Sequence, residues 1–180
     1  MALRGNRQEQ LAAVCRKLGT LPKVAVETGT FRGDTTYALS QLFDRVWTIE
    51  LSPHYHALAT DRFRDTNVQC ILGDSEHEVA RLCRGDHIEE PVFWFLDAHW
   101  PDGWPDEYKQ HIPQTNPLPL AAELRAIVSR SYTDIIVVDD ISSFGRPGLW
   151  TDITIETLLA LVKPHTVHRM ADSLAMLRVP

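Results

Sequence analysis

Residues 24–33 read Val24-Ala25-Val26-Glu27-Thr28-Gly29-Thr30-Phe31-Arg32-Gly33. A short β-branched run passes through an acid into two glycines, the pattern of a buried strand that turns into a helix. Gly29 allows the tight turn, and Gly33 lets the following helix approach the sheet or a ligand with no Cβ in the way. The N-terminal end of that helix would then face a ligand.

Working outward, similar runs recur at Val46–Ile49, Val92–Leu96 and Ile135–Val138, with a weaker one at Val68–Leu72. Their composition predicts buried parallel strands. Between them lie apolar residues at helical spacing: Ala38, Leu39, Leu42 and Phe43; Tyr55, Ala59 and Phe63; Val79, Leu82 and Cys83; Leu120, Leu124, Ile127 and Val128. An amphipathic helix carrying Leu11, Val14, Cys15 and Leu18, ending near Gly19, precedes the first strand. Another around Ile155, Leu158, Leu159 and Val162 leads to Thr166–Met170 and Leu174–Val179, joined through Ala171-Asp172-Ser173. Strand and helix alternate, which predicts a single α/β domain over 1–180. The expected architecture is a Rossmann-like, doubly wound, mostly parallel sheet with a C-terminal antiparallel hairpin and ligands at the carboxyl ends of its strands.

Composition narrows the functions this fold can serve. The 180 residues carry a formal net charge of −6, without the basic excess that phosphate neutralisation requires, so nucleic acid is not an expected partner. The N-terminal stretch has no apolar core of leader length and no segment has the apolar length of a membrane span, so a cytoplasmic protein with no membrane partner is expected. Cys15, Cys70 and Cys83 lack disulfide or zinc spacing and read as reduced, mostly buried residues. Pro101, Pro105, Pro113, Pro117 and Pro119 crowd one stretch, so Trp100–Pro117 is expected to be a stiff, irregular loop at the ligand end of the sheet.

The strand ends carry the chemistry. The second strand ends in Glu50, whose carboxylate suits the two hydroxyls of a ribose. The third runs into Gly73-Asp74-Ser75, a carboxylate and a hydroxyl for an adenine edge. FLDAHW places Asp97 and His99 past the fourth strand, and VVDDIS places Asp139 and Asp140 past the fifth. Three carboxylates converging there are costly unless protonated, solvated or shared with a cation, and a divalent ion with oxygen ligands meets that need.

These ordered strand-end groups resemble the class I S-adenosylmethionine-dependent methyltransferases, from about Val24 to Val179. The resemblance implies that Glu27, Gly29, Thr30, Phe31 and Gly33 lie under the methionine part of S-adenosylmethionine, with Glu50 on the ribose and Asp74 and Ser75 on the adenine. The turn departs from the nicotinamide fingerprint: it lacks the middle glycine of GxGxxG, and S-adenosylmethionine has no pyrophosphate to cradle. The later strand ends resemble the metal-dependent, catechol-type O-methyltransferases, which implies Asp97, Asp139 and Asp140 as ligands of Mg2+ or another divalent cation that orients a substrate hydroxyl. Those enzymes carry a lysine where this chain has Trp100.

Three roles stay open for His99: the base that replaces that lysine, a further metal ligand, or a hydrogen-bonded wall residue. Without a metal, Asp140 would cap the following segment, Asp139 would face the cofactor, and Asp97 would bind the methionine amino group. The expected activity is O-methylation of a small hydroxylated acceptor, with His99 and Asp97 catalytic. A non-catalytic S-adenosylmethionine-binding protein of the same fold is the alternative. Acceptor specificity is expected in Trp100–Pro117 and Ser142–Thr151, and the acceptor site is either open or closed by a second subunit in a homodimer.

Overall fold

The computed structural model describes residues 7–19, 21–84, 88–100, 116–163, 165–170 and 173–178. At its centre is β1 (Val24–Thr28), buried along its whole length between β2 (Arg45–Glu50) and β4 (Val92–Leu96), both parallel to it. With β3 (Val68–Leu72), β5 (Ile135–Val138), β6 (His165–Met170) and β7 (Ser173–Arg178) the sheet runs β3-β2-β1-β4-β5-β7-β6. The first five strands are mutually parallel, giving the predicted Rossmann-like α/β fold. Strand β7 lies antiparallel to both β5 and β6.

Six α-helices are described: α1 (Arg7–Leu18), α2 (Asp34–Ser40), α3 (Pro53–Arg62), α4 (Ser75–Cys83), α5 (Leu120–Val128) and α6 (Ile155–Leu161). Both faces of the sheet are covered, which is why β4 reads as unbroken apolar sequence. Its residues alternate between two cores with the period of a strand. Trp94 and Leu96 pack with Val79, Leu82, Leu124 and Leu158 of α4, α5 and α6. Phe93 and Phe95 pack with Leu11 and Val14 of α1, Leu39 of α2 and Phe43 in the turn that follows α2.

At the opposite end from the candidate site, Arg130 and Asp134 form a buried ion pair (2.7 Å). Arg130 also donates to the carbonyls of Ile88 and Glu90, while Asp134 accepts from the Val92 amide and the Trp94 indole. Together these bonds fix the start of β4. All three cysteines are free thiols, and burial pushes Cys15 up to about 11 and Cys83 up to about 12, so neither is a thiolate at neutral pH. Among the described residues no helix is long and apolar enough to cross a membrane.

The chain passes outward through β1, β2 and β3, then returns to the other side of β1 to begin β4. This reversal opens a crevice between the ends of β1 and β4, where ligands of open α/β sheets bind. The ladder continues one residue past the strands: Gly29 N donates to Ile49 O, Gly73 N to Glu50 O, Asp97 N to Thr28 O and Asp139 N to Leu96 O. Residues 29, 73, 97 and 139 are thereby aligned along the carboxyl edge of the sheet.

Candidate active site

Gly29 sits at φ +82°, and a Cβ there would lie 2.7 Å from the backbone oxygen of Asp97. The β1 turn and the end of β4 thus meet backbone to backbone, which only glycine permits. Gly33, also left-handed at φ +76°, has a different neighbour from the one expected: a Cβ would meet the ring of Phe63 at 2.7 Å. Its freedom serves packing against the end of α3. Between the two glycines, Phe31 is also left-handed (φ 49°), and its ring lies 4.7 Å from that of Tyr55.

Glu27 is directed into the protein. Its Oε2 accepts from the hydroxyls of Thr36 (2.5 Å) and Thr48 (2.6 Å), and the Thr48 and Thr30 hydroxyls are themselves 2.5 Å apart. This buried network ties the start of α2 to β1 and β2. Glu50 is presented at the crevice end of β2, 8% exposed, with Oε2 accepting from Phe31 N (2.7 Å) and Oε1 from Ser52 N (2.8 Å). Burial raises its pKa, and the Ser52 and Phe31 amides partly oppose that rise. Asp74 is the N-cap of α4 and accepts from Glu76 N (3.0 Å), while Ser75 is buried as the first residue of that helix.

At the other half of the crevice the structure groups Asp97, His99 and Asp140. One ligand atom of each lies within 4.8 Å of the others. His99 Nε2 is 3.0 Å from Asp140 Oδ2 and 3.9 Å from Asp97 Oδ1. Its Nδ1 is 3.2 Å from the Trp100 carbonyl, an oxygen that only accepts, so Nδ1 carries the proton and Nε2 is the atom turned to the carboxylates. Burial pulls the imidazole pKa down, but the Asp140 hydrogen bond and the charge of Asp97 outweigh it, and the net shift is upward.

Asp139 and Asp140 diverge. Asp140 is left-handed at φ 57° and turns its carboxylate to His99, whereas Asp139 Oδ1 accepts from Asp140 N (2.9 Å) and from Ser173 Oγ on β7 (3.0 Å). Among the described residues the metal-competent trio therefore contains His99 in place of Asp139. Most of the Trp100–Pro117 stretch, residues 101–115, lies outside the described residues.

A narrow cleft opens between Asp97, His99, Asp139, Trp150 and Glu123. Trp150 lies edge-on to His99, with centroids 5.2 Å apart, and closes one wall. Glu123 was not among the sequence candidates. It is fully buried on α5, and neither of its oxygens has a hydrogen bond of ordinary geometry, although the Ser75 and Thr28 hydroxyls are near enough to favour its charged form. Burial, reinforced by Asp74 and Glu76, pushes its carboxyl up to about 7. A signal for it existed in the sequence: Glu123 falls between Leu120, Leu124 and Ile127, on the apolar face of the predicted helix.

No family model and no curated protein matches the chain. Solved structures do. The N-methyltransferase NodS of Bradyrhizobium japonicum superposes with a TM-score of 0.60 at 16% identity, over 99% of each chain. A Streptococcus mutans protein described as a methyltransferase, in complex with SAH, gives 0.60 at 14% identity, over 99% of this chain and 100% of that one. The SAM-bound aminopentose methyltransferase of Micromonospora echinaspora gives 0.51 at 15% identity, over 74% of this chain and 49% of that one. At these identities the likeness establishes the fold, the α/β fold of class I methyltransferases.

Proposed function

We propose that the chain is an S-adenosylmethionine-dependent methyltransferase that O-methylates a small hydroxylated acceptor. The observation that carries this reading is the paired arrangement across one crevice: Glu50 beside the Gly29–Phe31 turn on one side, and Asp97, His99 and Asp140 on the other. The solved neighbours holding SAM or SAH support the choice of cofactor. The residues fit it: the turn presents backbone without a Cβ at Gly29, and each oxygen of Glu50 has one backbone donor and keeps capacity for a ribose hydroxyl. Asp74 Oδ1 caps α4, and Oδ2, 3.7 Å from His77 Nδ1, is the oxygen that would take the adenine side.

Two carboxylates and an imidazole also fit a divalent ion, and this donor set suits a first-row ion such as Mn2+ better than Mg2+, which prefers oxygen. When bound, such an ion would lower the pKa of an acceptor hydroxyl and hold its oxygen in place. Asp97, His99 and Asp140 would be its ligands.

Transfer itself needs the acceptor oxygen in line with the sulfonium methyl, and the residues here act chiefly by positioning. The acidic edge of the crevice stabilises the positive sulfonium while the apolar cleft walls exclude water. His99 Nε2 is the nitrogen that would take the acceptor proton, and the Asp140 and Asp97 carboxylates beside it favour its accepting one. Where the ion occupies Nε2, the proton leaves to solvent. These two roles separate on substitution: His99→Gln abolishes ion binding only if His99 is a ligand.

Calorimetry of S-adenosylmethionine and S-adenosylhomocysteine, with and without Mn2+, tests the reading. Binding of both is expected. Failure of either to bind the folded protein would refute it. Binding of both with no methylated product from any hydroxylated acceptor would leave the non-catalytic alternative standing.

A further inference from the structure

Glu123 is used by no step above, yet it lines the cleft with Asp97, His99 and Asp139. A carboxyl sealed from water and lacking hydrogen bonds of ordinary geometry is an expensive group to retain; the Ser75 and Thr28 hydroxyls approach it from within the fold, and it also borders the cleft. The ionisable groups facing the cleft are Asp97, Asp139 and His99, and Asp74 and Glu76 act on Glu123 from α4. All but His99 are acidic. The remaining wall is apolar, formed by Leu96, Leu118, Leu120, Val138 and Trp150. A ligand complementary to this cleft is therefore cationic at its tip, rich in N–H donors and carries carbon behind the charge.

A metal ion answers that description poorly, because among the described residues the atoms placed to share an ion belong to Asp97, His99 and Asp140 and not to Glu123. We propose that the cleft receives an alkylammonium group, with Glu123 as its counter-ion at the cleft floor. Which molecule bears the amine rests on the methyltransferase reading: it is either the α-ammonium of the cofactor or an amine of the acceptor. The shared chemistry is the ammonium.

The test uses the full chain and Glu123→Gln, an isosteric change that removes the charge without opening a cavity. n-Butylammonium chloride and n-butanol are titrated into each protein, with and without S-adenosylhomocysteine, and followed by protein NMR. The expected result is a preference of about tenfold or more for butylammonium over butanol in the parent, lost in Glu123→Gln, as a charged hydrogen-bonded pair requires. Equal binding of the two probes to the parent, or an unchanged preference in the variant, would overturn the proposal. So would a variant that loses Mn2+ while keeping the ammonium preference.

A second arm separates the sources by comparing S-adenosylhomocysteine with 5′-methylthioadenosine, which lacks the amino-acid part. If the affinity ratio of the two falls in Glu123→Gln, the ammonium is the cofactor's. If the ratio holds while the butylammonium preference is lost, it is the acceptor's. Failure of both nucleosides to bind would refute the methyltransferase reading, and the butylammonium arm would still decide the cleft.

Discussion

Glu123→Gln should make the protein more stable, and only on the alkaline side. The carboxyl is held at about 7 in the folded chain, against 4.5 for an unperturbed glutamate. A folded-state value above the unfolded one means that the native state keeps its proton where the unfolded chain has released it, so stability falls as pH rises between the two values. Across that window of about 2.5 units, at 1.36 kcal/mol per unit, the loss approaches about 3 kcal/mol. Glutamine carries no such dependence. The variant and parent should unfold at similar urea concentrations near pH 4, diverge through pH 5–7, and differ by up to about 3 kcal/mol at pH 8, or roughly 6–12 °C in Tm for a chain of this size. Urea unfolding of both proteins at four pH values measures the difference directly, since every other titrating group is common to the pair. A stability difference independent of pH, or a variant less stable at pH 8, would refute the reasoning.

Gly29→Ala would drive a Cβ to within 2.7 Å of the Asp97 carbonyl at a left-handed φ; it should cost about 2 kcal/mol or more and weaken S-adenosylhomocysteine binding, both read from ligand-dependent thermal unfolding. Arg130→Ala should destabilise the fold by about 3–5 kcal/mol, because it leaves the Asp134 carboxylate buried without its counter-charge and the Ile88 and Glu90 carbonyls without their donor. Chemical denaturation checks this, and a loss below about 1 kcal/mol would contradict the buried-pair account. Asp140→Asn should lower Mn2+ affinity by at least about tenfold in an electron paramagnetic resonance titration, whereas Asp139→Asn, which turns toward Ser173, should lower it less.

Much of the fold was legible because its strands are unusually plain. The runs at Val92–Leu96 and Ile135–Val138 coincide with β4 and β5, since a strand buried on both faces must be apolar throughout, and the weaker run at Val68–Leu72 coincides with the partly exposed β3. Helix ends were less legible: Leu42 and Phe43 continue the apolar spacing of α2, but the helix stops at Ser40 and their amides close a turn on Leu39.

At the site, sequence position identified the strand ends but not the directions of side chains beyond them. The left-handed backbone of Asp140 breaks the alternation on which any such inference depends, so two adjacent aspartates face different partners. Gly33 has the same spacing whether it clears space for a ligand or for Phe63, and only tertiary packing distinguishes the two. Glu123 was visible as an acid on an apolar helix face, a conflict between local pattern and burial of the kind that marks functional positions.

The backbone contact between Gly29 and Asp97 bears on how this scaffold diversifies. Neither partner in that joint can be altered to admit a differently shaped molecule, because the obstacle is main chain and not a replaceable side chain. New substrate range, whether evolved or engineered, has to be written into the segments that follow the strands, such as the one bearing Trp150, while the joint itself stays fixed.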